Sequence, residues 1–122
     1  MPPAASGPLR TISMLILFDH STPAPLSSYL TGHTVIEARD RGWDTLSNGD
    51  LLAEAERAGF DVLVTADRNI RYQQNLNGRA IALVVLSTPQ WPRVRLHIEL
   101  IAGAIDAALP GSYAEVEIPY AT

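Results

Sequence analysis

Two apolar runs in this chain end on an aspartate: Leu15-Ile16-Leu17-Phe18-Asp19 and Val62-Leu63-Val64-Thr65-Ala66-Asp67. Short β-rich runs without polar alternation predict strands buried on both faces, as in a parallel sheet. Ligands of open α/β sheets bind beyond the carboxyl ends of the strands. If the two strands are neighbours, Asp19 and Asp67 face one crevice, and two carboxylates held close repel each other unless a cation lies between them. The pair is therefore a candidate site for Mg2+ or Mn2+. Magnesium takes oxygen ligands and needs only one or two protein carboxylates where substrate phosphate completes the shell.

Asp50 is the third candidate acid, in the first turn of a predicted helix. The same residue suits a capping box with Ser47, where the helix dipole and free N–H groups favour a carboxylate. Asp19 and Asp67 likewise have a structural alternative, as caps of the turns that follow them. Glu54, one turn beyond Asp50, is a reserve candidate, whereas Glu37 and Asp44 read as solvated surface acids. The segment Arg68-Asn69-Ile70-Arg71-Tyr72-Gln73-Gln74-Asn75 is dense in hydrogen-bond donors. Arg68 and Arg71 suit phosphate, and Asn69, Gln73 and Gln74 suit base edges. A polar surface helix is the plainer reading of that segment. His20, His33 and His97 do not form a spaced metal set, and Trp43 and Trp91 read as packing or interface residues.

The elements that position these residues follow from pattern. Ser21-Thr22-Pro23 opens a short helix ending at Thr31-Gly32, with Thr22 as its cap and Pro23 at its first position. His33 to Glu37 is a second strand, and Arg39 to Ser47 a polar loop. A helix begins after Ser47, with Leu51, Leu52, Ala55 and Ala58 as its apolar stripe and Gly59 as its stop. Val62 to Ala66 and Ala80 to Leu86 are buried strands, and Asn69 to Leu76 is a short helix or ordered loop. The longest helical pattern spans Gln90 to Leu109, with Val94, Ile98, Ile101, Ile105 and Leu109 at helical spacing. Tyr113 to Tyr120 alternates like an edge strand closed by Pro119. The fold class is α/β, a sandwich around a mostly parallel sheet with right-handed crossovers.

The 122 residues, 47% hydrophobic and 18% charged, suit one globular domain over 14–122 with a short tail at 119–122. Residues 1–13, rich in proline and small side chains, read as a disordered leader and not as a signal peptide. The absence of cysteine excludes disulfides, thiolate zinc sites and cysteine nucleophiles, in keeping with a cytoplasmic setting. No apolar segment is long enough to span a membrane. A net charge of −4 argues against a broad basic surface for nucleic acid. All nine basic residues are arginine. Phospho-receiver domains and aspartate-nucleophile phosphatases depend on a lysine, so both lose support, and no phosphate-binding glycine loop is present.

The landmarks Leu15-Ile16-Leu17-Phe18-Asp19, Gly32-His33-Thr34-Val35, Gly42-Trp43, Leu46-Ser47-Asn48-Gly49-Asp50-Leu51-Leu52 and Val64-Thr65-Ala66-Asp67-Arg68-Asn69 follow one another in order. Together they resemble the PIN-like group of small prokaryotic proteins, relatives of the VapC-type toxin ribonucleases, over Met14 to about Leu109. The resemblance implies a three-layer α/β/α sandwich whose acids gather at the carboxyl end of the sheet. It implies Asp19, Asp67 and Asp50 as catalytic and metal-ligating residues for Mg2+ or Mn2+, with RNA phosphodiesters as substrate. A small antitoxin protein and a second copy of the chain are the partners it implies. Two positions depart from the pattern: Asn69 stands where relatives often carry an aspartate, and His20 where they often carry an acid. Those departures support the rival expectation, a catalytically silent PIN-like module that binds protein or RNA.

Overall fold

The computed structural model describes residues 13–70 and 75–120. Its sheet has five strands: β1 (Leu15–Phe18), β2 (Thr34–Glu37), β3 (Val62–Thr65), β4 (Ala82–Leu86) and β5 (Tyr113–Val116). Their order is β2-β1-β3-β4-β5, and every neighbouring pair is parallel. Among the described residues the α-helices are α1 (Asn48–Arg57), α2 (Trp91–Val94) and α3 (Ile98–Asp106), with 3-10 turns at Ala24–Tyr29, Ala38–Arg41 and Arg95–His97. No helix among the described residues is long and apolar enough to cross a membrane.

Strand residues alternate between two cores. Ile16, Phe18, Val62, Val64, Val84 and Leu86 meet Leu26, Val94, Ile101 and Ile105 on one face. Leu17, Leu63, Leu83 and Val85 meet Leu51, Leu52 and Ala55 of α1 on the other. The central strands β3 and β4 are buried throughout, which is why their sequences run apolar without a polar face. Each fully buried leucine or isoleucine contributes roughly 1.5–3 kcal/mol relative to exposure.

The connections depart from expectation in one respect. The chain moves from β3 to β4 and from β4 to β5 in the same direction along the sheet. The first connection packs Ile70 and Leu76 on the α1 face, and the second packs α2 and α3 on the opposite face. Those two crossovers therefore have opposite hands, and uniformly right-handed crossovers do not hold. The apolar demand explains the placement: among the described residues, without α2 and α3 the six-residue turn Ala24–Tyr29 would be the one helical segment over that face.

Local boundaries also shift. Pro23, not Thr22, is the cap residue of the turn Ala24–Tyr29, because the Thr22 hydroxyl turns inward. The long pattern from Gln90 is broken: α2 passes into a 3-10 turn, and His97 leaves helical geometry at φ −133° and ψ 37° before α3 begins. Val94, Ile101 and Ile105 nevertheless stay buried on one face, whereas Leu109 lies beyond the end of α3 and is exposed. Ser47 caps α1 as expected, its hydroxyl accepting the Asp50 N–H.

Glu56 fastens α1 to the approach to β4. Its carboxylate accepts the Ala80 N–H at 2.5 Å and an Arg79 guanidinium N–H at 2.7 Å. The Ala80 bond foremost, then Arg79, holds Glu56 below its ordinary value of 4.5. A depressed carboxylate stabilises the fold above its unfolded pKa and loses that contribution as pH falls through the folded one. Glu56→Gln should therefore flatten the decline in melting temperature below pH 4.5, relative to the unsubstituted chain, in acid-titrated thermal melts. Parallel declines in both proteins would show that the carboxylate bond contributes nothing to acid sensitivity.

Candidate functional site

Parallel register brings the two strand-end aspartates together. Phe18 of β1 pairs with Val64 of β3, so Asp19 follows opposite Thr65. Leu17 and Leu63 face α1, and residues two further along a strand share that side. Asp19 and Thr65 therefore both face the amino end of α1. Both are buried, at 5% and 0% exposure. In doubly wound sheets of order 2-1-3-4-5, the gap between the ends of β1 and β3 is the switch point where ligands bind.

Four donors surround the Asp19 carboxylate. Oδ1 accepts the Ser21 N–H at 3.1 Å, the Ser21 hydroxyl at 2.7 Å and the Thr22 hydroxyl at 2.9 Å. The Thr22 oxygen is also 2.7 Å from the Val64 carbonyl, so one proton serves two acceptors. Oδ2 accepts the Thr65 hydroxyl at 2.5 Å. The Thr65 oxygen in turn accepts the Asp67 N–H at 3.0 Å, and the Ser21 oxygen accepts the Ala66 N–H at 2.9 Å. A single threonine hydroxyl thus links the Asp19 carboxylate to the Asp67 backbone.

Asp67 is half-buried. Its Oδ1 accepts the Asn69 N–H and its Oδ2 the Asn48 side-chain amide, each at 3.0 Å. The first bond caps the turn at Asn69, as the structural reading of Asp67 requires. The second ties the amino end of α1 to the site through Asn48. Asp50, two residues on, is exposed. Among the described residues, no group of three or more Asp, Glu, His or Cys side chains lies close enough together to hold an ion.

The expected substrate residues divide. Arg71, Gln73 and Gln74 lie outside the described residues. Asn69 is exposed beside Asp67. Arg68 borders a shallow crevice also lined by Ser87, Glu115 and Glu117.

Glu37 differs from its reading as a surface acid. A cleft of about 90 Å³ at the carboxyl end of β1 and β2 is lined by Asp19, His20, Thr22, Glu37 and Arg39. Glu37 pairs there with Arg39 at 3.2 Å. Its signal was in the sequence, since Thr34-Val35-Ile36-Glu37 is another apolar run closed by an acid. Thr65 was legible only as a strand residue, and Asn48 gave no signal of its role.

The donor set fits a hard cation in part. Asp19 and Asp67 offer carboxylate oxygens at one edge, but each already accepts protein donors, and Asp50 does not complete a triad. Compared with known proteins, the chain matches no family model, no curated protein and no solved structure.

Proposed function

We propose that this chain is a PIN-like, Mg2+- or Mn2+-dependent endoribonuclease, the toxin half of a toxin–antitoxin pair, with a PIN-like α/β/α sandwich as its fold. One observation supports this reading above the others: the two strand-end aspartates lie at the β1/β3 switch point of a parallel sheet, where the Thr65 hydroxyl joins the Asp19 carboxylate to the Asp67 backbone N–H. Asp19 and Asp67 would hold the cation, with Asp50 as a further acid. When bound, the cation would polarise the phosphodiester and lower the pKa of an attacking water. Ser21, Thr22 and Thr65 hold the Asp19 carboxylate in one orientation, as outer hydrogen bonds do for metal ligands. Arg39, exposed at the mouth of the cleft, joins Arg68 as a candidate phosphate contact.

A second reading is the silent binding module. It is favoured by the saturation of Asp19 and Asp67 with protein donors and by the separation of Asp50 from them. Manganese titration by calorimetry, with and without a short RNA, separates the two. The nuclease reading expects saturable binding that Asp19→Asn and Asp67→Asn each abolish. No binding by folded wild type under either condition would leave the silent module.

A further inference from the structure

Two stretches of this acidic chain carry no aspartate or glutamate, His20 to Ile36 and Arg68 to Ile98. The second ends with Arg93, Arg95 and His97 close together. The fold sets parts of the two side by side. The turn Ala24–Tyr29 follows the carboxyl end of β1 and helix α2 follows that of β4, and Leu26, Leu30 and Val94 join them in one core. Where they meet, the rings of Tyr29 and Trp91 lie 5.7 Å apart, tilted at 42°. Trp91 is partly buried against that core, whereas Tyr29 is 55% exposed. The indole therefore backs a tyrosine ring that stands in solvent.

Arg95 adds charge beside this pair. It stands one turn after Trp91, its N–H donating to the Trp91 carbonyl, and residues four apart on a helix are neighbours. Its side chain is exposed and makes no ion pair among the described residues. Glu99, four residues on, falls beyond the break in helical geometry at His97. Arg39, Arg57 and Arg79, by contrast, each pair with a glutamate. An exposed ring beside an unpaired cation suits a single strand of nucleic acid: a base stacks on the ring while the arginine meets a phosphate. The absence of acids from both segments favours a polyanion over a protein partner, whose own surface mixes both signs. The position suits the chemistry as well, since the turn leaves the same strand end as Asp19, and His20 lines the cleft beside it.

We propose that Tyr29, backed by Trp91, and Arg95 form a stacking platform for single-stranded RNA. The proposal rests on the RNA substrate of the reading above and extends it to a contact apart from the metal ligands. The test is fluorescence anisotropy of a short, labelled, mixed-sequence RNA strand at low salt in EDTA, where neither metal nor cleavage takes part. Wild type should bind, and Tyr29→Ala should weaken binding roughly 5- to 100-fold, as loss of one base–aromatic stack does. Tyr29→Phe keeps the ring and should keep the affinity. Arg95→Ala should weaken binding and reduce the slope of log affinity against log salt by about 0.7, the share of one phosphate contact on a single strand. Circular dichroism confirms that each variant is folded. Wild-type affinity in either Tyr29→Ala or Arg95→Ala would overturn the platform. So would equal affinity for the same sequence as a duplex, whose bases cannot reach the ring, or no binding by wild type, which would leave the face to a protein. The nuclease reading fails separately, if Mn2+ brings no cleavage of a strand that the platform binds.

Discussion

Asp19→Asn is expected to lower metal-dependent RNA cleavage by roughly 100-fold or more while the chain stays folded. Loss of an outer-shell partner alone costs about 10–100-fold at metal sites, so loss of a ligand sets a higher floor. The fold survives for a stereochemical reason. Asparagine has the shape of aspartate, and its one oxygen can face the Ser21 N–H and the Ser21 and Thr22 hydroxyls. Its amide nitrogen then faces Thr65, whose oxygen can accept from it while the Thr65 proton turns towards Ser21, 3.3 Å away. That rearrangement costs about 1–3 kcal/mol. Cleavage assays run beside thermal melts separate the two effects. Undiminished cleavage by a folded Asp19→Asn protein would remove Asp19 from the chemistry and the nuclease proposal with it.

Strand ends were legible in the sequence because their signal is local. An apolar run closed by a carboxylate is written in consecutive residues, and Asp19, Glu37 and Asp67 all carry it. Helix α1 was equally local, with Ser47 as its cap and Leu51, Leu52 and Ala55 as its stripe. What the sequence did not disclose depends on register. Thr65 is one β-branched residue in a β-rich run until β1 and β3 pair, and only then does its hydroxyl meet a carboxylate 46 positions away. Asn48 joins Asp67 for the same reason, 19 positions distant. The hand of the last crossover was hidden differently. Apolar spacing in α2 and α3 declares a buried stripe but not which face of the sheet receives it.

Thr65→Val should destabilise the protein by about 1–3 kcal/mol or somewhat more, since it strands one buried carboxylate oxygen and removes the acceptor of a half-buried N–H. The substitution keeps the shape of the side chain and deletes one hydroxyl. Asp19 Oδ2 loses its donor, and the Asp67 N–H loses its acceptor. Thr65→Ser keeps the hydroxyl, removes one methyl and should cost only about 1 kcal/mol. Urea denaturation of the three proteins measures the difference. Equal stabilities would mean that the hydroxyl holds neither the Asp19 carboxylate nor the Asp67 backbone in place. Divalent cation then extends the same series to function. In Thr65→Val the freed Asp19 oxygen is a better cation ligand, and binding to the folded state alone stabilises it by RT ln(1 + [L]/Kd). Added Mn2+ should therefore raise the melting temperature of Thr65→Val more than that of wild type, and should not raise that of Thr65→Val with Asp19→Asn. A Thr65→Val protein indifferent to Mn2+ would mean that Asp19 serves as a hydrogen-bond anchor for the Ser21–Thr22 turn, as the silent module requires.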